Sequence, residues 1–223
     1  SGAALDAASK RRLTEINQRL AQLTTQFDQN VLADENEQFV LLDREEELAG
    51  LPDEVRAVAA SAAARRGFTG KWLIENTRSA VEPFLTYAER RDLRERVWRM
   101  FVGRGDSPGA RDNKPIITEI LALRAERARL LGYPTHAHWA AERQMAKAPE
   151  RALELMRAVW PAAVRRVNDE LAAMRELLRA SGSDHDIEPW DYRFFAEKVR
   201  NATAELDWDV VKPYLQLDLL REG

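Results

Sequence analysis

Between Pro149 and Ala180 apolar side chains fall at Leu153, Met156, Trp160, Val164, Val167, Leu171, Met174 and Leu178, in unbroken steps of three and four. At ~3.6 residues per turn, only an α-helix returns every one of those positions to a single face. The spacing predicts one long helix from about Pro149 to Ala180. Pro161 lies inside it, and because the apolar register survives on both sides the expectation is a kink rather than a break. A stripe of that length commits the chain to an architecture of packed helices.

The remaining segments agree. Leu13, Ile16, Leu20, Leu23, Phe27 and Val31 mark a first helix, with Asp34-Glu35-Asn36-Glu37 read as its end. Gln38 to Leu42 is a short extended segment, paired with Lys71 to Ile74. Asp43 and Glu46 have capping-box spacing for a helical turn closing at Gly50. Pro52 and Gly67 bracket a helix with Val55, Val58, Ala59 and Ala62 on one face. Ser79 with Glu82 repeats the box spacing ahead of helical patterns through Phe101, and residues 103–109 form the clearest loop. A helix opening near Pro115 keeps Ile117, Ile120, Leu121, Arg124, Ala128 and Leu131 in phase; Thr135 then caps a shorter one through Lys147. After the long helix and a loop at 181–186, helices are expected over about 189–204 and 207–214. The fold class is all-α in the main: long antiparallel helices with at most a small two-stranded β element.

Several function classes drop out. The formal charge of -3 is not that of a dedicated nucleic-acid binder. No run approaches the ~18 apolar residues of a membrane span. With no cysteine there are no disulfides, thiolate metal sites or cysteine nucleophiles, and the compartment, cytoplasmic or periplasmic, stays open.

Each residue with chemistry to offer has a structural reading that weighs more. His136 and His138 are two apart, roughly 200° around a helix, so they cannot share a metal there. His185 sits in a polar loop without the alternating oxygen pattern of a calcium site. Most of the 37 acidic residues lie on helix faces beside Lys or Arg, as a solvated surface does. No serine stands in a glycine-flanked elbow, and the 103–109 loop lacks the Lys-Ser or Lys-Thr of a phosphate cradle. Arg124, Glu126, Arg127 and Arg129 form a basic helix surface better suited to bridging helices than to an anion. Trp190, Tyr192, Phe194 and Phe195 read as core rather than as a peptide groove. No catalytic, metal-ligating or substrate-binding residue is nominated.

Longer segments carry a resemblance. Leu48-Ala49-Gly50-Leu51-Pro52, residues 112–117 (DNKPII), residues 123–128 (LRAERA), Leu130 to Pro134 with Ala137-His138-Trp139, residues 145–149 (MAKAP) and Pro189 to Tyr192 occur in this order. Together with Lys212-Pro213-Tyr214 and Glu222-Gly223 they resemble the thimet oligopeptidase and peptidyl-dipeptidase family of zinc peptidases, nearest its bacterial peptidyl-dipeptidases. The resemblance implies a larger, two-lobed helical fold around a deep channel. It implies one zinc held by His-Glu-x-x-His and a later glutamate, and short peptides as substrates. No His-Glu dipeptide occurs here, so no catalytic or metal residue carries over.

The expectation is therefore a helical portion, residues 1–223, of a larger peptidase, with a sub-boundary near 103–114 and the catalytic zinc domain absent. The apolar pattern still running at Leu215, Leu217, Leu219 and Leu220 is read as a cut inside a longer protein. Such a portion would be inactive alone, would have the catalytic half as its partner, and would expose helix faces prone to self-association. The rival expectation is a stand-alone helical module that binds peptides or proteins without cutting them.

Overall fold

The computed structural model describes residues 2–183 and 185–203. Among these residues eight α-helices and one two-stranded antiparallel sheet make up the regular structure beyond short turns, so the mainly all-α class holds. The chain divides into two units of non-contiguous segments: residues up to 39, 75–77 and 99–165 form the first, and 40–74, 78–98 and those from 166 onward the second. The 103–114 stretch lies inside the first unit.

The first unit is organised by α1 (Ala7–Glu37) and α5 (Asn113–Leu130). Asp6 opens α1 by accepting from the Ala8 and Ser9 amides, both at 2.8 Å. The two helices run antiparallel: Arg12 meets Glu126 at 2.6 Å, Arg19 meets Glu119 at 2.6 Å, and Asn30 donates to Asn113 Oδ1 at 2.8 Å. Ile16, Leu20 and Leu23 of α1 are buried with Ile116 and Ala128 of α5. The face read from sequence on α5 is partly wrong, since Ile117 and Leu121 are 43% and 59% exposed. The stripe that is buried on α5 is instead marked by Asn113, Ile116 and Ala128.

α1 ends at Glu37, inside the 34–37 segment read as its end, and Asp34 is buried because it organises the loop that follows α4 (Arg91–Val102). It accepts from the Gly105 amide at 2.8 Å and from Ser107 Oγ at 3.0 Å. Gly105 has φ +74°, and a Cβ there would stand 2.8 Å from Asn113 Nδ2, so only glycine fits. After α5, the short helix α6 spans only His136–Ala141; its predicted continuation to Lys147 is replaced by turns, with Lys147 at φ 62°.

In the second unit β1 (Phe39–Leu42) and β2 (Trp72–Glu75) pair as expected. Between them, the capping carboxylate is Glu47, one residue beyond the predicted Glu46; it accepts from the Asp43 and Arg44 amides at 2.9 and 3.0 Å. Gly50 (φ +82°) closes that turn where a Cβ would collide with the Tyr87 carbonyl at 2.3 Å. On α2 (Asp53–Arg65), Ala59, Ala62 and Ala63 are buried while Val58 is 61% exposed, against the predicted face. The next helix, α3 (Arg78–Tyr87), starts before Ser79, and Glu82 pairs with Arg78 and Arg193.

The long helix α7 runs from Pro149 to Ala180, the predicted limits, with Pro161 inside. Its last turns bury Met174 and Leu178 against Phe195, with Leu171, Tyr192 and Val199 around them. Phe195, Tyr192 and Val199 belong to α8 (Tyr192–Thr203), which begins three residues later than predicted because Pro189 and Trp190 form the preceding turn. The helix expected over 207–214 lies outside the described residues. Burying side chains of this size is worth about 1.5–3 kcal/mol each.

Candidate functional site

The strongest electrostatic construction in the second unit is centred on Asp191, which is fully buried. Its carboxylate accepts from Arg91 Nη2 at 2.9 Å and from Arg94 Nη2 at 2.8 Å. Arg94, 2% exposed, also donates to the carbonyls of Ala88, Glu89 and Trp190, so its guanidinium is spent on main chain and Asp191. Burial pulls the Arg94 pKa below its ordinary value, while the hydrogen bond and charge of Asp191 oppose that. The Arg94 guanidinium stacks 4.1 Å from the Phe194 ring centroid, and Trp98 meets Trp190 edge-on at 5.6 Å. This is a satisfied buried ion cluster that docks α8 to α4, and it has no free group for chemistry. Sequence reading left Asp191 without a role; its two arginines lie about a hundred positions away, where local pattern carries no signal.

The aromatic segment is core, as read: Trp190 and Phe195 are 8% and 6% exposed. Beside it lies an open cavity of about 420 Å³, bounded by Arg91, Leu177, His185, Phe195 and Lys198.

The histidines separate. His136 packs against the Trp139 ring, centroids 5.4 Å apart, and burial together with Arg124 and Arg127 lowers its pKa. His138 instead has Nδ1 2.8 Å from Thr135 Oγ1 and Nε2 3.2 Å from Glu150 Oε1. That hydroxyl–imidazole–carboxylate line has the order of a nucleophile relay. Its hydroxyl, however, is the α6 cap, accepting from the His138 amide, and it borders none of the cavities described here. His185 points its Nδ1 at the Asp186 carbonyl, 2.9 Å away.

Among the described residues no group of three or more His, Asp or Glu side chains stands where it could hold a metal ion. The described residues therefore offer no donor set for the zinc that the resemblance implies. Among the same residues no helix is long and apolar enough to cross a membrane.

The basic surface of α5 has two fates. Glu126 bridges to Arg12 of α1, as a helix-bridging face should. Arg127 also reaches α1, donating to Asn17 Oδ1 at 3.1 Å, and lies 4.4 Å from the Trp139 ring centroid, on the wall of a second cavity.

Comparison with known proteins places this helical body in a family. Peptidase family M3 matches residues 84–223. The dipeptidyl carboxypeptidase of Escherichia coli K12 is 37% identical over 224 aligned residues, which take in 100% of this chain and 33% of that protein. Oligopeptidase A of Salmonella typhimurium is 32% identical over 218 residues, 96% of this chain and 32% of its own length. Organellar oligopeptidase A of Arabidopsis thaliana is 32% identical over 231 residues, 100% of this chain and 29% of its own. The chain thus spans about a third of the length of the curated relatives it matches. With more than half of its residues matched to the family, this chain belongs to peptidase family M3.

Proposed function

We propose that this chain is the non-catalytic helical portion of a zinc peptidyl-dipeptidase or oligopeptidase that hydrolyses short peptides. It supplies scaffold and one wall of the substrate channel, takes the catalytic half of the same protein as its partner, and is inactive alone. The observation that carries this reading is the 37% identity, end to end, with one third of a dipeptidyl carboxypeptidase.

One structural feature supports it. The first half of α7 presents Leu153, Met156, Val159, Trp160 and Val164 to solvent, at 40–69% exposure. A contiguous apolar row of that kind marks a contact face. In the isolated chain the same row would drive self-association.

The test is zinc content and dipeptide release by the purified chain on an N-terminally blocked peptide, with a chelator control. The expected result is no bound zinc and no cleavage. Stoichiometric zinc with chelator-sensitive dipeptide release would overturn the proposal.

A further inference from the structure

Among the described residues Arg127 is a cation without an anion. Its Nη1 donates to the neutral amide oxygen of Asn17 at 3.1 Å, while its buried Nε has no partner among those residues. The nearby carboxylates are committed elsewhere, Glu126 to Arg12 and Glu142 to the Tyr133 hydroxyl at 2.6 Å. Burial, with repulsion from Arg124, lowers the Arg127 pKa. A second unused group adjoins it: His136 Nδ1 is also buried and unpartnered among the described residues.

Leaving a buried guanidinium N–H unmet costs free energy unless something outside the chain meets it. Space for that something exists. Arg127 and Trp139 form one side of a cavity of about 510 Å³, with Leu13 and Leu131 as apolar wall and Asn17, Tyr133 and Arg143 as polar wall. That volume suits a small organic molecule. Glu142 also lines it, with its carboxylate accepting from Tyr133. The Arg127 guanidinium lies over the Trp139 indole, 4.4 Å from its centroid, and a guanidinium keeps N–H groups of the kind that carboxylates accept.

We infer that this cavity binds an organic carboxylate, with the carboxylate on Arg127 and its apolar body along Leu13, Leu131 and Trp139. The chemistry is shared by a free amino-acid-like acid and by the C-terminal residue of a peptide. The inference rests on unit-one geometry alone and stands or falls separately from the peptidase reading.

The experiment is calorimetric titration of the chain with N-acetyl-leucine and with its amide. The acid is expected to bind in the millimolar range or tighter and the amide to bind at least about tenfold more weakly. An N-acetylated tripeptide ending in leucine, as free acid and as amide, identifies the source. If the tripeptide acid binds as well as N-acetyl-leucine, the site takes peptide C-termini; if only N-acetyl-leucine binds, it takes small free acids. Arg127→Gln should lose the preference for acid over amide, with folding checked by circular dichroism. Should the variant not fold, the acid-to-amide comparison on the unaltered chain still decides. No acid binding up to ~10 mM, or equal binding of acid and amide, would overturn the inference.

Discussion

The two halves of α7 carry the same apolar rhythm and meet opposite fates. From Leu171 onward the stripe is covered: Met174 and Leu178 are 2% and 3% exposed beneath Phe195 of α8. From Leu153 to Val167 it is open, and Trp160, its largest member, is 69% exposed. Periodicity fixes which side of a helix is apolar, and a partner decides whether that side is buried. The covered half also has polar ties, for Tyr192 Oη donates to Glu170 at 2.7 Å and Arg166 pairs with Glu170 one turn away. The open half, in this reading, is a face prepared for the remainder of a larger peptidase.

The contrast breaks most visibly where α8 is docked. Asp191→Ala removes the acid between Arg91 and Arg94 and leaves the buried Arg94 charge unpaired, at a cost of about 3–5 kcal/mol in denaturant-measured stability. Next, Leu178→Ala in the covered half should cost about 2–5 kcal/mol by the same measurement. Its counterpart in the open half, Trp160→Ala, should stay within about 0.5 kcal/mol. Equal costs in the two halves would mean that they are covered alike.

The smallest effect concerns pH. Hydrogen bonds from Tyr192 and then Arg166 hold the Glu170 carboxyl below its ordinary value. A depressed folded pKa adds stability that is complete above the ordinary carboxylate range and is lost as pH falls through the folded value. Tyr192→Phe should move the Glu170 carboxyl back toward its ordinary value, read by carbon-13 NMR titration. No movement would show that Tyr192 does not hold Glu170 in solution.

Much of this was legible in the chain. The limits of α7, the pairing of the two strands and the core role of Trp190 and Phe195 follow from period and residue type, which are local properties. What local pattern misses is contacts made far along the chain. The buried role of Asp34 is one, since its partners, Gly105 and Ser107, lie about seventy residues on. Val58, Ile117 and Leu121 were in phase with their helices and still lack cover, as the open half of α7 does. At the candidate carboxylate site, the arginine-rich surface was visible as a motif. That Glu126 would bridge to α1 and Arg127 would lie on Trp139 depends on how α1, α5 and α6 pack.

The open half of α7 as a contact face is tested most directly by sedimentation velocity over a range of concentrations, with Trp160→Glu alongside. The unaltered chain should associate reversibly, and the substitution should abolish that association while leaving the fold intact. A chain that stays strictly monomeric at the highest concentrations, or associates just as well with Glu at position 160, would contradict it.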